Sequence, residues 1–186
     1  GKIAAARGLD VGALSHPLGA IPQAANIAGS GKALAYAIAR QESEFNHGAV
    51  SKVGALGLLQ LMPATAKEVA GRNGMKYDRA RLTVDPAYNA TLGAHFLGEQ
   101  IDRFDGSYIL TFAGYNAGPR RSDEWMAKYG DPRGKSVDFV VDWVERIPFT
   151  ETRNYVQRIM ENYQVYKARL GGKVNIEGDL VNGRQS

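Results

Sequence analysis

The stretch KALAYAIARQESEF (32–45), followed by NHGAVSKVGALGLLQL (46–61), decides how this chain is read. The first part is a helix by composition: Ala33, Ala35, Ala37 and Ala39 are the strongest helix formers, and neither glycine nor proline interrupts them. The second part is its opposite, with Gly48, Gly54 and Gly57 among short apolar residues, and reads as a loop. On the helix, Ala39, Ile38 and Ala35 lie three, four and seven residues before Glu42, and Phe45 three after it. All share its face. One carboxylate therefore sits in an apolar face. Glu44 points away from that face, and Arg40, four residues earlier, stands at the spacing of a solvated surface ion pair.

Outward from this segment the helical period dominates. Pro63 suits a first helical turn, with Ala64 to Ala70 following until Gly71. Asp85-Pro86 is a capping side chain followed by a preset φ, and opens a helix to about Phe104 with Leu97, Ile101 and Phe104 on one stripe. Ser107 caps Tyr108 to Ala113, Pro119 opens a segment carrying Trp125 and Met126, and Ser136 to Glu145 ends before Pro148. Thr150 to Leu170 repeats Tyr155, Ile159, Tyr163, Tyr166 and Leu170 at helical spacing, a stripe most simply read as core. Trp125 and Trp143 read as packing before they read as sugar platforms. Short extended pieces are expected only around Val53 to Leu61. The fold class is mainly α, with residues 1–31 as a lead-in, 32–170 as the principal domain and 171–186 as a polar, mobile tail.

Composition narrows the chemistry. The 186 residues have a net charge of +4, from 23 basic and 19 acidic side chains. The basic residues are scattered, with Arg120-Arg121 the adjacent pair, so no nucleic-acid stripe is expected. Cysteine is absent, which excludes disulfides, thiolate metal sites and a cysteine nucleophile. His16, His47 and His95 are not at metal-motif spacing. The longest apolar run, Ala33 to Ala39, is far short of the roughly 20 residues of a membrane span. No charged-then-apolar leader opens the chain, which does not locate the protein. Glycine is enriched: 22 residues, about 12% where roughly 7% is usual.

Glu42 is then the residue to explain. Charged side chains are seldom buried without a partner, and burial disfavours the ionised form of a carboxyl. A glutamic acid kept protonated is what a general acid requires. The bland alternative is a carboxylate at a helix end bonded to loop amides. The glycine-rich loop beside it favours the first reading, because glycines let backbone approach a ligand closely.

Residues 38–66, IARQESEFNHGAVSKVGALGLLQLMPATA, resemble the catalytic segment of soluble lytic murein transglycosylases. The likeness recurs, in the family's order, at FAGYNAGP (112–119) and RIPFTETRNYV (146–156). It implies a goose-lysozyme-like helical domain with a substrate cleft, which cuts the β-1,4 bond between N-acetylmuramic acid and N-acetylglucosamine in peptidoglycan. It also implies that Glu42 is the sole catalytic acid and base, supported by Ser43. Ser51, Gln60, Met62, Tyr115, Asn116, Glu151 and Tyr155 match positions that bind the glycan. Two departures stand out. Leu58-Leu59 replaces the family's usual Leu-Met, a nearly volume-conserving change, and Gly114 stands where alanine is common, which is expected to loosen the chain there.

Some of these positions have a plainer reading. Tyr155 and Met62 suit core packing, Asn116 a helix terminus, and Glu151 a first-turn acid complementing the helix dipole. Most glycosidases use two carboxylates, yet Asp102 and Asp105 are weak candidates for a second, and Asp85 is better read as a cap. One acid suffices if the substrate's 2-acetamido group steadies C1 and its C6 hydroxyl attacks. No metal or organic cofactor is required on this reading. The expected partner is the peptidoglycan glycan strand, with no nucleic acid and no membrane-spanning segment, and the protein is expected to act on it as a periplasmic monomer. The competing readings are a hydrolytic muramidase on the same scaffold and a non-catalytic glycan-binding domain.

Overall fold

The alanine-rich segment forms α1, Lys32–Ser43, in which every residue from Leu34 to Ala39 is buried. Small side chains let its backbone be enclosed on all sides, as an amphipathic surface helix could not be. The computed structural model describes residues 15–185; the expected lead-in 1–31 lies outside the described residues over 1–14. The mainly helical fold expected is the one observed. The chain divides into two compact units, residues 1–96 and 97–186.

In the first unit, residues 15–31 are irregular but tied down. The Tyr36 hydroxyl donates to the Leu18 carbonyl and accepts from the Ile21 amide. The Asn26 amide donates to Thr91 Oγ1 at 3.0 Å. The loop after α1 carries the expected extended pieces as two isolated antiparallel bridges, Val50 with Leu56 and Leu56 with Leu61. Then come α2, Pro63–Arg72, which runs through Gly71 rather than stopping there, and the single turn α3, Arg81–Val84. Next is α4, Pro86–Arg103, within which the division into units falls. Leu56, Leu61, Val69, Leu82, Tyr88 and Leu92 are buried together as a core cluster. Asp85 does cap α4: its Oδ1 accepts from the Tyr88 amide at 3.1 Å. The Arg81 guanidinium, with that amide, holds the Asp85 carboxyl below the usual carboxylate range.

The second unit centres on α5, Tyr108–Ala117, whose residues from Tyr108 to Gly114 are all buried. Ser107 caps it by accepting from the Leu110 amide at 3.3 Å. Around it lie α6 (Pro119–Tyr129), α7 (Val137–Glu145) and α8 (Thr150–Arg169). Trp125 and Trp143 are buried at 4% and 1% exposure, so both pack rather than face a sugar. The α8 stripe is core as expected at Tyr155, Ile159 and Tyr166. Its Tyr163 hydroxyl lies 3.2 Å from that of Tyr108, and burial first, then this bond, pushes Tyr163 well above the ordinary phenol range. The chain is not loosened at Gly114: a β-carbon there would come within 3.1 Å of Pro119 Cα and 3.3 Å of Ser122 Oγ. Close packing of α5 on the start of α6 accounts for the glycine.

The tail departs from expectation. Ile176–Val181 forms α9, capped by Asn175 Oδ1 accepting from the Gly178 amide. Asp179 accepts from Lys167 Nζ and, at 2.6 Å, from Gln164 Nε2 on α8. The Arg184 amide donates to the Gly106 carbonyl at 2.9 Å. A six-residue helix with an internal glycine has no periodic stripe to read; tertiary polar bonds make it. Replacing Asp179 with alanine leaves a mostly buried lysine and amide without their acceptor, at a cost of about 1–3 kcal/mol. Amide hydrogen exchange over Ile176–Val181 is expected to speed at least tenfold, with α5 little changed.

Candidate active site

Helix α1 ends at the residues singled out from the sequence, Glu42 and Ser43. Glu44 and Phe45 both take left-handed backbone conformations, with φ of 50° and 65°. The Glu44 amide closes on the Arg40 carbonyl at 3.1 Å, which satisfies an otherwise orphaned helix acceptor. The expected Arg40–Glu44 ion pair is not formed. The left-handed turn takes Glu44 off the helix face, and Arg40 Nε donates to the Ser15 carbonyl at 2.7 Å. Glu42, the last residue but one of the helix, is half-buried. Its neighbour Ser43 donates to the Leu58 carbonyl at 2.7 Å. The hydroxyl beside Glu42 thus ties the helix end to the glycine-rich loop.

That loop is built by its own polar groups. Ser51 and Ala55 exchange backbone N–H···O and N–H···Oγ bonds of 2.9 Å. Gln60, at φ 50°, donates from Nε2 to the carbonyls of Gly57 at 2.9 Å and Ala49 at 3.2 Å. Both its amide hydrogens are used, so only its carbonyl oxygen is available to a ligand. Met62 is 42% exposed at the start of α2, which removes the core-packing reading for it.

A residue not singled out from sequence holds the loop's far side. Asn89 on α4 is completely buried. Its Oδ1 accepts from the Leu59 amide at 2.9 Å, and its Nδ2 donates to the Leu56 carbonyl at 2.9 Å and the Leu82 carbonyl at 3.0 Å. Gly57 passes so close that a β-carbon would lie 2.1 Å from the Leu82 carbonyl oxygen and 2.2 Å from Asn89 Nδ2. At φ 77° it also adopts a conformation that side chains resist. The signal was present: Asn89 shares its face with Leu92, Gly93 and Phe96, a polar residue on an apolar face just as Glu42 is.

In the second unit, Tyr115 and Asn116 are half-buried in the last turn of α5. The helix continues to Ala117 and is capped by Gly118, so Asn116 does not terminate it. Asn116 Oδ1 accepts from Thr152 Oγ1 at 2.7 Å. Glu151 is exposed in the first turn of α8, and Tyr155, one turn further, is 5% exposed. The structure therefore joins the end of α5 to the start of α8 through Thr152, a residue sequence reading passed over between Glu151 and Tyr155.

Residues 19–137 match the family model described as the transglycosylase SLT domain, and residues 146–174 one described as the soluble lytic transglycosylase helical domain. The soluble lytic murein transglycosylase of Escherichia coli K12 is 36% identical over 152 residues, which are 81% of this chain and 23% of that protein. The membrane-bound lytic murein transglycosylase D of the same strain is 32% identical over 135 residues, 69% of this chain and 28% of that protein. Among solved structures, an inactive mutant of the lytic transglycosylase Slt from Pseudomonas aeruginosa superposes with a TM-score of 0.79 at 36% identity, covering 94% of this chain and 28% of that one. The chain spans about a quarter of the length of the curated relatives it matches.

Replacing Asn89 with alanine removes three hydrogen bonds to the backbone of Leu59, Leu56 and Leu82 beside a fully buried position. An expected loss of about 2–4 kcal/mol follows. A lowered urea midpoint at unchanged slope, together with faster exchange of the Leu59 amide, checks it.

Proposed function

Because this chain belongs to the transglycosylase SLT family, we propose that it cuts peptidoglycan strands between N-acetylmuramic acid and N-acetylglucosamine, using Glu42 as acid and then base. The observation that carries this reading is a half-buried carboxyl at the end of a buried helix, beside a loop held in shape by Ser43 and Asn89. Of the other carboxylates considered, Asp102 is exposed near the end of α4 and two are engaged elsewhere. Asp85 caps α4 and binds Arg81, and Asp105 pairs with Arg133 at the surface.

The steps follow from what one carboxyl can do. Glu42 gives its proton to the glycosidic oxygen, and the C1–O4 bond breaks. The substrate's 2-acetamido group steadies the positive charge developing at C1. The C6 hydroxyl of the muramyl sugar attacks C1, its proton passes to Glu42, and the C1–O6 bond closes a 1,6-anhydro ring. The acid is restored and no water is consumed. General acid–base catalysis contributes about 10²–10⁴ in rate; positioning and charge stabilisation supply the remainder. To glycan binding we assign Ser51, Gln60 through its carbonyl oxygen, Met62, Tyr115, Asn116, Glu151 and Tyr155. Ser43 supports Glu42 by fixing the helix end. Such a substrate places the action in the periplasm, and one chain carries all the assigned residues, so a monomer suffices.

Glu42→Gln is expected to keep the circular dichroism spectrum and glycan binding while lowering release of fragments from purified sacculi at least a hundredfold. An unchanged rate would take Glu42 out of the mechanism. Mass analysis of wild-type products should show ends one water lighter than reducing ends; reducing ends as the main product would establish hydrolysis instead. Since the acid must enter each cycle protonated, wild-type activity falls as pH rises through the ionisation of Glu42. A rate that stays level to strongly alkaline pH would contradict that step.

A further inference from the structure

Asn116 in the last turn of α5 and Thr152 in the first turn of α8 belong to the same unit. Thr152 is 1% exposed, so water does not take its hydroxyl proton. The acceptor it reaches is Asn116 Oδ1, at 2.7 Å. A hydroxyl has one hydrogen to donate, and leaving it buried without an acceptor is unfavourable. This decides which way the carboxamide faces. Were it turned over, its N–H would donate to the Thr152 oxygen and the Thr152 hydrogen would be stranded. With Oδ1 held toward Thr152, the amide nitrogen points the other way. Asn116 is half-buried, and the hydrogen bond its carboxamide makes among the described residues uses Oδ1, not Nδ2. Its N–H donors are left for a ligand.

We propose that Thr152 is a positioning residue, which locks the Asn116 carboxamide so that both its N–H donors face the glycan. The inference rests on the glycan-cleaving reading above and adds to it a determinant of orientation. A strand rich in hydroxyl and acetamido oxygens offers acceptors in abundance, and a carboxamide free to flip would present the wrong group part of the time. Thr152 never touches the substrate on this account; it acts through Asn116.

Two variants separate orientation from stability. Thr152→Val replaces the hydroxyl with a methyl of similar size, and Thr152→Ser keeps the hydroxyl. On purified sacculi, Thr152→Val is expected to lower kcat/KM about tenfold, mainly through KM, as one misdirected hydrogen bond would. Thr152→Ser should return it to within about twofold of wild type. In an Asn116→Ala background, Thr152→Val should change kcat/KM by less than about twofold, because nothing is left to orient. A purely structural threonine would instead lower the melting temperature, leave KM of the folded enzyme unmoved and keep its effect beside Asn116→Ala. That outcome overturns the proposal. Should Thr152→Val fail to fold, Asn116→Asp decides: it still accepts the Thr152 proton but offers no N–H, so it must raise KM as Asn116→Ala does, and a wild-type KM would overturn the proposal. Failure of the glycan-cleaving reading looks different, because wild type would then release no fragments. The lock is still read by NMR in that case. The Asn116 side-chain amide proton pair should shift and exchange faster in Thr152→Val, and an unaltered pair refutes the lock whatever wild type does to sacculi.

Discussion

A single buried carboxamide carries the shape of the glycine-rich loop. A loop of short apolar residues and glycines has backbone donors and acceptors but few side chains to satisfy them, and burying them unpaired is costly. Asn89 resolves this by using one acceptor and two donors on three separate backbone groups, at Leu59, Leu56 and Leu82. Gly57 is then forced, because the loop must pass against that amide with no β-carbon between them. Ser43 fastens the opposite edge, through the Leu58 carbonyl, to the helix end that bears Glu42. Glu42 can have a fixed neighbourhood only because both edges are held.

The same region holds three non-glycine residues at positive φ: Glu44, Phe45 and Gln60. Each such position costs about 1–3 kcal/mol and persists only where its surroundings over-determine it. The surroundings here can be named. Glu44 and Phe45 return their amides to the last carbonyls of α1, and Gln60 anchors its own left-handed turn by bonding Gly57 and Ala49 through its side chain. Apart from Asp105, the described non-glycine residues at positive φ lie in the segment just after Glu42 and in the loop that follows it, which fits a backbone shaped for something other than stability.

Much of this was legible beforehand. Composition and caps located α1, α4, α5 and α8 to within a few residues, because alanine runs, Asp85-Pro86 and Ser107 act locally. The apolar face around Glu42 marked the one carboxyl out of place. What escaped were interactions whose partners are distant in sequence. Helix α9 exists through Lys167, Gln164 and Asn175 acting on a segment with no period of its own. The Arg40–Glu44 pair, sound by spacing, failed because the helix ended one residue too soon for Glu44 to remain on its face. Asn89 and Thr152 obeyed the rule that singled out Glu42, a polar group on an apolar face, but an amide or a hydroxyl breaks the pattern more quietly than a charge does.

Three carboxamides in this chain show how such residues divide their labour. Asn89 is buried and has every strong capacity in use, so it can serve only the fold. Gln60 has given both N–H groups to the loop and keeps its carbonyl oxygen. Asn116 is the complement, its oxygen engaged by Thr152 and its donors kept. The proposed function assigns Gln60 and Asn116 alike to the glycan, yet their inner hydrogen bonds would leave the first as an acceptor and the second as a donor. What each can say to a saccharide is therefore set by the hydrogen bonds it has already made, and the residue type alone does not reveal it. On the proposed reading, matching the two chemistries to opposite groups of an N-acetylated sugar would require both inner partnerships to hold, and the residues behind the motif would then be part of its specificity.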